Sequence, residues 1–142
     1  MTLQWLGEGG TAIVWQAQLQ DVETQPLAFK VFGRLDRDAV SIKHEQTIYQ
    51  RLCAEQGQFL PYLMARGVLE PEGQNPRPFL AFTLLSPLQF GAALLASYRD
   101  MALDALHGIH SRGVLHGDIK LDNLMVDQDS RRVFSSILKG HV

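Results

Sequence analysis

Val114-Leu115-His116-Gly117-Asp118-Ile119-Lys120-Leu121-Asp122-Asn123-Leu124-Met125-Val126 holds the densest set of polar side chains in an apolar setting anywhere in the chain. The apolar residues at its two ends predict a strand leading into a loop and a second strand leading out. Within the loop, His, Asp, Lys and Asn stand at fixed spacing. Phosphoryl transfer needs a carboxylate to orient the attacking hydroxyl, a cation near the transferred group and an oxygen ligand for magnesium. Asp118, Lys120 and Asn123 are of the types that supply these three roles. A plain polar turn, with Asp and Asn capping local backbone groups, would use the same residue types. The upstream sequence therefore has to be weighed with it.

Two charged residues upstream sit where charges are costly. Lys30 lies in the middle of the apolar run Leu27-Ala28-Phe29-Lys30-Val31-Phe32, which reads as a strand. Ala28 and Phe32 share its face by alternation, so that face is not plainly a solvent face. Glu45 lies in a predicted helix over 38–55, on the same stripe as Ile42, Tyr49 and Leu52. A buried ammonium and a buried carboxylate each need a partner. Each of these two oddities explains the other, and the sequence predicts that Lys30 and Glu45 pair.

Further upstream is Leu6-Gly7-Glu8-Gly9-Gly10-Thr11-Ala12-Ile13-Val14. Glycines at a turn between strands let backbone N–H groups approach phosphate oxygens without side-chain obstruction. Ordinary hairpins also carry glycines, so this feature alone is weak. It is not a P-loop, because no Gly-Lys-Ser/Thr follows.

The rest of the chain falls into short elements. Strands are predicted over 3–6, 12–19 and 27–32, with a tight hairpin at Gly7–Gly10 and a polar link over 21–26. Two more are predicted over 66–69 and 79–85, joined by a polar turn over 70–76. A short helix is predicted over 89–96 and a clearer one over 98–111, with Met101, Leu103, Ala105, Leu106 and Ile109 largely buried and Gly113 ending it. Arg132-Val133-Phe134 reads as a late strand, and Asp127, Asp129 and Ser130 as the turn before it.

Composition fits a globular domain. The 142 residues are 46% apolar and 20% charged, with a formal net charge of −2. There is no cluster of Lys and Arg of the kind that binds nucleic acid, and no acidic run. The one cysteine, Cys53, excludes an internal disulfide framework and reads as a packing residue in a reducing compartment. The first residues lack the basic-then-apolar pattern of a signal peptide. The stretch 79–98 is uncharged and long enough to span a bilayer, but Ser86-Pro87, Gln89 and Gly91 interrupt it. A span there would also separate the candidate phosphate-binding groups from the candidate catalytic ones. The expectation is a cytoplasmic chain that binds neither membrane nor nucleic acid.

In order, the Gly-rich hairpin, the strand lysine, the helix glutamate and the H-G-D-I-K-L-D-N loop resemble the protein kinase superfamily, its serine/threonine-type catalytic domain in particular. The likeness covers nearly the whole chain. It implies an α+β, two-lobed fold, with an antiparallel sheet plus helix C over about 1–85 and the start of a mainly helical lobe over about 86–142. It implies ATP and Mg2+ as ligands and a protein as substrate. Leu6 to Val14 matches the G-x-G-x-x-G-x-V loop, with Ala12 in place of the third glycine. Gly7, Gly9, Gly10, Val14 and Ala28 would then lie against the nucleotide. Lys30 would contact its α- and β-phosphates, with Glu45 as the helix-C partner. Residues 79–88 fall where the strand and hinge beside the adenine would lie. Asp118 is implied as catalytic base, Lys120 as partner of the transferred phosphate and Asn123 as a magnesium ligand.

Three departures matter. Gly117 replaces the catalytic-loop arginine, so control through a phosphorylated activation loop is not expected. No D-F-G follows Asn123: the strand at 132–134 is followed by Ser135-Ser136-Ile137-Leu138. The activation segment and later helices of the family do not appear within the 142 residues, so a truncated and inactive domain is expected. Gly117 also suits the small-molecule phosphotransferases of the aminoglycoside- and choline-kinase-like group, which use an H-G-D-x-x-x-x-N loop. The absent D-F-G aspartate suits a non-catalytic, nucleotide-binding pseudokinase or scaffold.

Overall fold

The computed structural model describes residues 2–8, 12–18, 25–33, 35–87, 92–115, 124–127 and 132–135. The fold is α+β. It divides into two compact units, 1–43 with 62–84, and 44–61 with 85–142.

The first unit is built on a five-stranded antiparallel sheet in the order β1-β2-β3-β5-β4. Its strands are β1 (Thr2–Glu8), β2 (Ala12–Gln18), β3 (Leu27–Phe32), β4 (Leu63–Leu69) and β5 (Arg77–Thr83). The first three form the expected meander, because short polar connections leave only the neighbouring strand within reach. β5 then pairs with β3, which pushes β4 to the edge. Pro78 is tolerated in β5 because the β3 ladder starts one residue later, at Phe79 opposite Val31. A proline there leaves no amide missing on that side. β1 is longer than its apolar pattern predicts: it runs through Gly7 and Glu8, while Gly9 and Gly10 lie outside the described residues.

One long helix, α1 (Leu35–Arg51), follows β3. Its buried positions, Asp38, Ile42, Glu45, Ile48 and Tyr49, recur every three or four residues and define one stripe. The helix ends before the predicted limit at 55. Leu52 leaves the α conformation and Cys53–Glu55 form one 3-10 turn. The tighter winding turns Cys53 outward and Glu55 inward. Cys53 is thus exposed, not the packing residue expected from its type, and Glu55 is buried in its stead.

In the second unit, α2 (Ala92–His110) replaces the two helices expected over 89–96 and 98–111. No glycine or proline interrupts 92–107, so nothing ends the first before the second begins. Ala102, Ala105 and Ile109 are its buried positions, whereas Leu103 is 43% exposed. At 100° per residue Leu103 falls off the stripe that those three define. Gly113, at φ +78, follows the helix in the left-handed conformation that a chain reversal at a helix end requires.

The second unit also holds a small antiparallel sheet of β6 (Ser86–Pro87), β7 (Leu124–Val126) and β8 (Val133–Ser135), with α2 against β8. The backbone N–H of Asp127 donates to the Arg132 carbonyl at 3.0 Å and closes the β7–β8 hairpin. Asp127 therefore begins the turn that the sequence placed there; Asp129 and Ser130 lie outside the described residues. The strand expected ahead of the polar loop is reduced to one isolated bridge residue, Leu115. Among the described residues no helix is long and apolar enough to cross a membrane.

Candidate functional site

Strand register decides which candidate residues meet. Gly7 stands opposite Val14, Val14 opposite Lys30, Lys30 opposite Leu80, and Leu80 opposite Arg66. Directly opposed residues of a sheet point to the same face. Ala28 is two residues from Lys30 on the same strand, so it joins that face, opposite Phe82. Four of the sequence-predicted ligand residues, Gly7, Val14, Ala28 and Lys30, thus lie on one face of the sheet. Leu80 and Phe82 lie on that face too, and they belong to the strand expected beside an adenine.

Gly7 reaches this face only through an irregularity. Trp5 pairs with Trp15 and the next pair is Gly7 with Val14. The chain thus advances two residues on β1 and one on β2. Leu6 is the extra residue of a β-bulge, and without it Gly7 would share the opposite face with Trp5. A Cβ added at Gly7 would meet nothing within 4 Å. The backbone here is approachable, as a phosphate-binding strand needs.

Lys30 is 7% exposed, and its Nζ lies 5.3 Å from the centroid of the Phe32 ring. Phe32, two residues on, shares the face, so the ring offers the ammonium a cation–π contact. The other face is packed differently: Phe29 and Phe79 stack there with centroids 5.1 Å apart. Lys30 therefore occupies the more buried side of the sheet, not a solvent-facing edge.

Glu45 belongs to the second unit. It is 6% exposed on the α1 stripe, beside Ile42, Ile48 and Tyr49, and Asp38 is the other buried acid of that stripe. In the same unit, residues 116–123 join Leu115 to β7. His116, Asp118, Lys120 and Asn123 lie outside the described residues, as do Gly9 and Gly10. The hairpin that follows that segment is present as β7 and β8. Among the described residues no group of three or more His, Cys, Asp and Glu side chains gathers as a metal site.

Two contacts of the second unit escaped the sequence pattern. Glu55 is buried and forms an ion pair with Arg112, its Oε1 2.6 Å from Arg112 Nε. Arg51 Nε donates to the Arg112 carbonyl at 3.1 Å. No periodicity marks Glu55, because it belongs to a 3-10 turn outside the helical repeat. The bulge at Leu6 did leave a signal, since a glycine inside a strand pattern often accompanies one.

No protein-family model matches the chain, and no curated protein does.

Proposed function

We propose that this chain is a protein-kinase-like domain that binds ATP with Mg2+, of the serine/threonine type whose reaction passes the γ-phosphate to a protein hydroxyl. One observation carries the reading. The register places Gly7, Val14, Ala28 and Lys30 on a single sheet face, with the lysine buried and the glycine backbone open. These are the residues that the motif resemblance assigns to the nucleotide, and strand pairing groups them independently of any motif. The α+β architecture, an antiparallel five-stranded sheet with α1 between β3 and β4, is compatible with a kinase N-lobe.

In this reading Lys30 holds the α- and β-phosphates, with Glu45 as its counter-charge. Val14 and Ala28, both half-buried, offer an apolar surface to the base, with the buried Leu80 and Phe82 beside them. Asp118 orients an acceptor hydroxyl, Lys120 accompanies the transferred phosphate and Asn123 ligates Mg2+. The metal neutralises charge on the phosphates. The polypeptide 1–142 binds nucleotide but does not transfer phosphate, because it contains no D-F-G aspartate to share the metal with Asn123. Gly117 keeps one second reading in play, a small-molecule phosphotransferase.

The test is a calorimetric titration of the purified chain with ATP, with and without Mg2+. Saturable binding strengthened by Mg2+ supports the reading. Binding indifferent to Mg2+ would assign the chain to a non-catalytic nucleotide-binding class, and no binding would reject both.

A further inference from the structure

Two rows of directly opposed residues cross the candidate face of the sheet. One runs Gly7, Val14, Lys30 and Leu80; the next runs Gln4, Gln16, Ala28 and Phe82. Two residues along a strand set the rows about 7 Å apart. With phosphates at Lys30, the base lies toward Val14 and Ala28. In the second row Ala28 has Phe82 on one side and Gln16 on the other. Phe82 is buried and apolar. Gln16 brings a carboxamide to the same face, and directly opposed residues hold their Cβ atoms about 5 Å apart.

Sheet packing does not account for Gln16. Glutamine is not one of the β-branched or aromatic types that favour a strand. Gln16 is half-buried, whereas Gln4, across from it on the edge strand β1, is exposed. Among the described residues neither carboxamide has a hydrogen-bond partner. A half-buried amide loses hydration and recovers it only when something else bonds to it. The carboxamide carries a donor and an acceptor side by side. Adenine offers the matching pair, an amine donor at N6 next to an acceptor at N7, and glutamine bonds it with both groups at once. Guanine has the acceptor O6 in place of that amine, so one of the two bonds becomes a repulsion. Lys30 and Gly7 make no such distinction, because the phosphates are the same in every nucleoside triphosphate.

We propose, on the nucleotide-binding reading above, that Gln16 is a specificity-determining residue: its carboxamide reads the polar edge of the base and favours ATP over GTP.

Calorimetric titrations with ATP, GTP and 2′-deoxy-ATP compare the wild-type chain with Gln16→Met, which keeps the length and removes both hydrogen-bonding groups, and with Lys30→Met. Gln16→Leu is run in parallel, so that a folding defect in either apolar variant leaves the other as the test, and melting temperature is measured for each. The wild-type chain is expected to prefer ATP. Gln16→Met should reduce the preference for ATP over GTP by about threefold to tenfold, the usual worth of one or two neutral hydrogen bonds, at a melting temperature close to wild type. Lys30→Met should weaken both nucleotides alike. An unchanged preference in Gln16→Met would overturn the proposal, and so would an equal loss for ATP and GTP, which marks a purely structural role. A change confined to the comparison of ATP with 2′-deoxy-ATP would place Gln16 at the sugar and overturn the base reading. A wild-type chain that binds ATP and GTP equally would overturn the proposal alone. One that binds neither would overturn the nucleotide-binding reading, and the proposal with it.

Discussion

Val14 of β2 stands directly across from Lys30 of β3. Leu80 flanks the lysine on its other side, and the Phe32 ring shares its face. An ammonium among such neighbours has lost most of its hydration, and a charged partner has to make up the difference. Strand pairing sets this environment, whatever the function, and it gives the proposed role of Lys30 a measurable signature.

Replacing Lys30 with Met should weaken ATP binding by roughly tenfold to a hundredfold, the usual worth of a hydrogen bond to a charged group. Calorimetry in Mg2+ reads this directly, and an unchanged dissociation constant would remove Lys30 from the phosphate site. A double-mutant cycle with Glu45→Gln tests the pairing expected from sequence. A coupling of about 0.5–3 kcal/mol is expected for two interacting residues; independent effects would separate them.

Gly7→Ala distinguishes a ligand-binding glycine from a merely conformational one. The added methyl has open space, and Gly7 is not among the glycines with positive φ. Stability should therefore hold, or rise by up to about 1 kcal/mol from reduced chain entropy in the unfolded state. ATP affinity should nonetheless fall, by roughly tenfold if one backbone hydrogen bond to phosphate is blocked. Equal affinity for both chains would leave Gly7 with no role beyond the strand bulge.

Gly108→Ala should do the opposite, costing stability without touching the sheet. Alanine normally gains about 1 kcal/mol over glycine inside a helix. Here the methyl would overlap the Phe59 ring, and overpacking of this kind costs about 1–3 kcal/mol. Urea unfolding should show a net loss, partly relieved by adding Phe59→Leu. A net gain would mean that Phe59 moves aside freely.

Phosphoryl transfer by the polypeptide 1–142 should not rise above that of Asp118→Ala in a radiolabelled-phosphate assay with Mg2+ and a generic acceptor protein. Positioning and charge neutralisation make up nearly all of catalysis in this class, and both fail without a second protein ligand to the metal. Asp127 begins the β7–β8 turn, where its backbone N–H donates to the Arg132 carbonyl. Incorporation well above the variant would overturn the inactivity and identify Asp118 as the base.

Much was legible in the residues alone. The β3 pattern Leu27–Phe32 carries its own limits, because alternation and β-branching record a half-buried strand residue by residue. The α1 stripe, with Glu45 on it, is equally local, since 3.6-residue spacing shows which side is covered. Burial of Lys30 and Glu45 followed from those two patterns. The tertiary structure decided what periodicity does not encode. It inserted β5 between β3 and β4, placed the extra residue at Leu6 so that Gly7 joined the Lys30 face, and brought Arg51 to Arg112 across 61 residues of chain. Those outcomes depend on competition between distant segments for the same hydrogen bonds and the same buried space. No single segment carries that competition, so only the assembled chain resolves it.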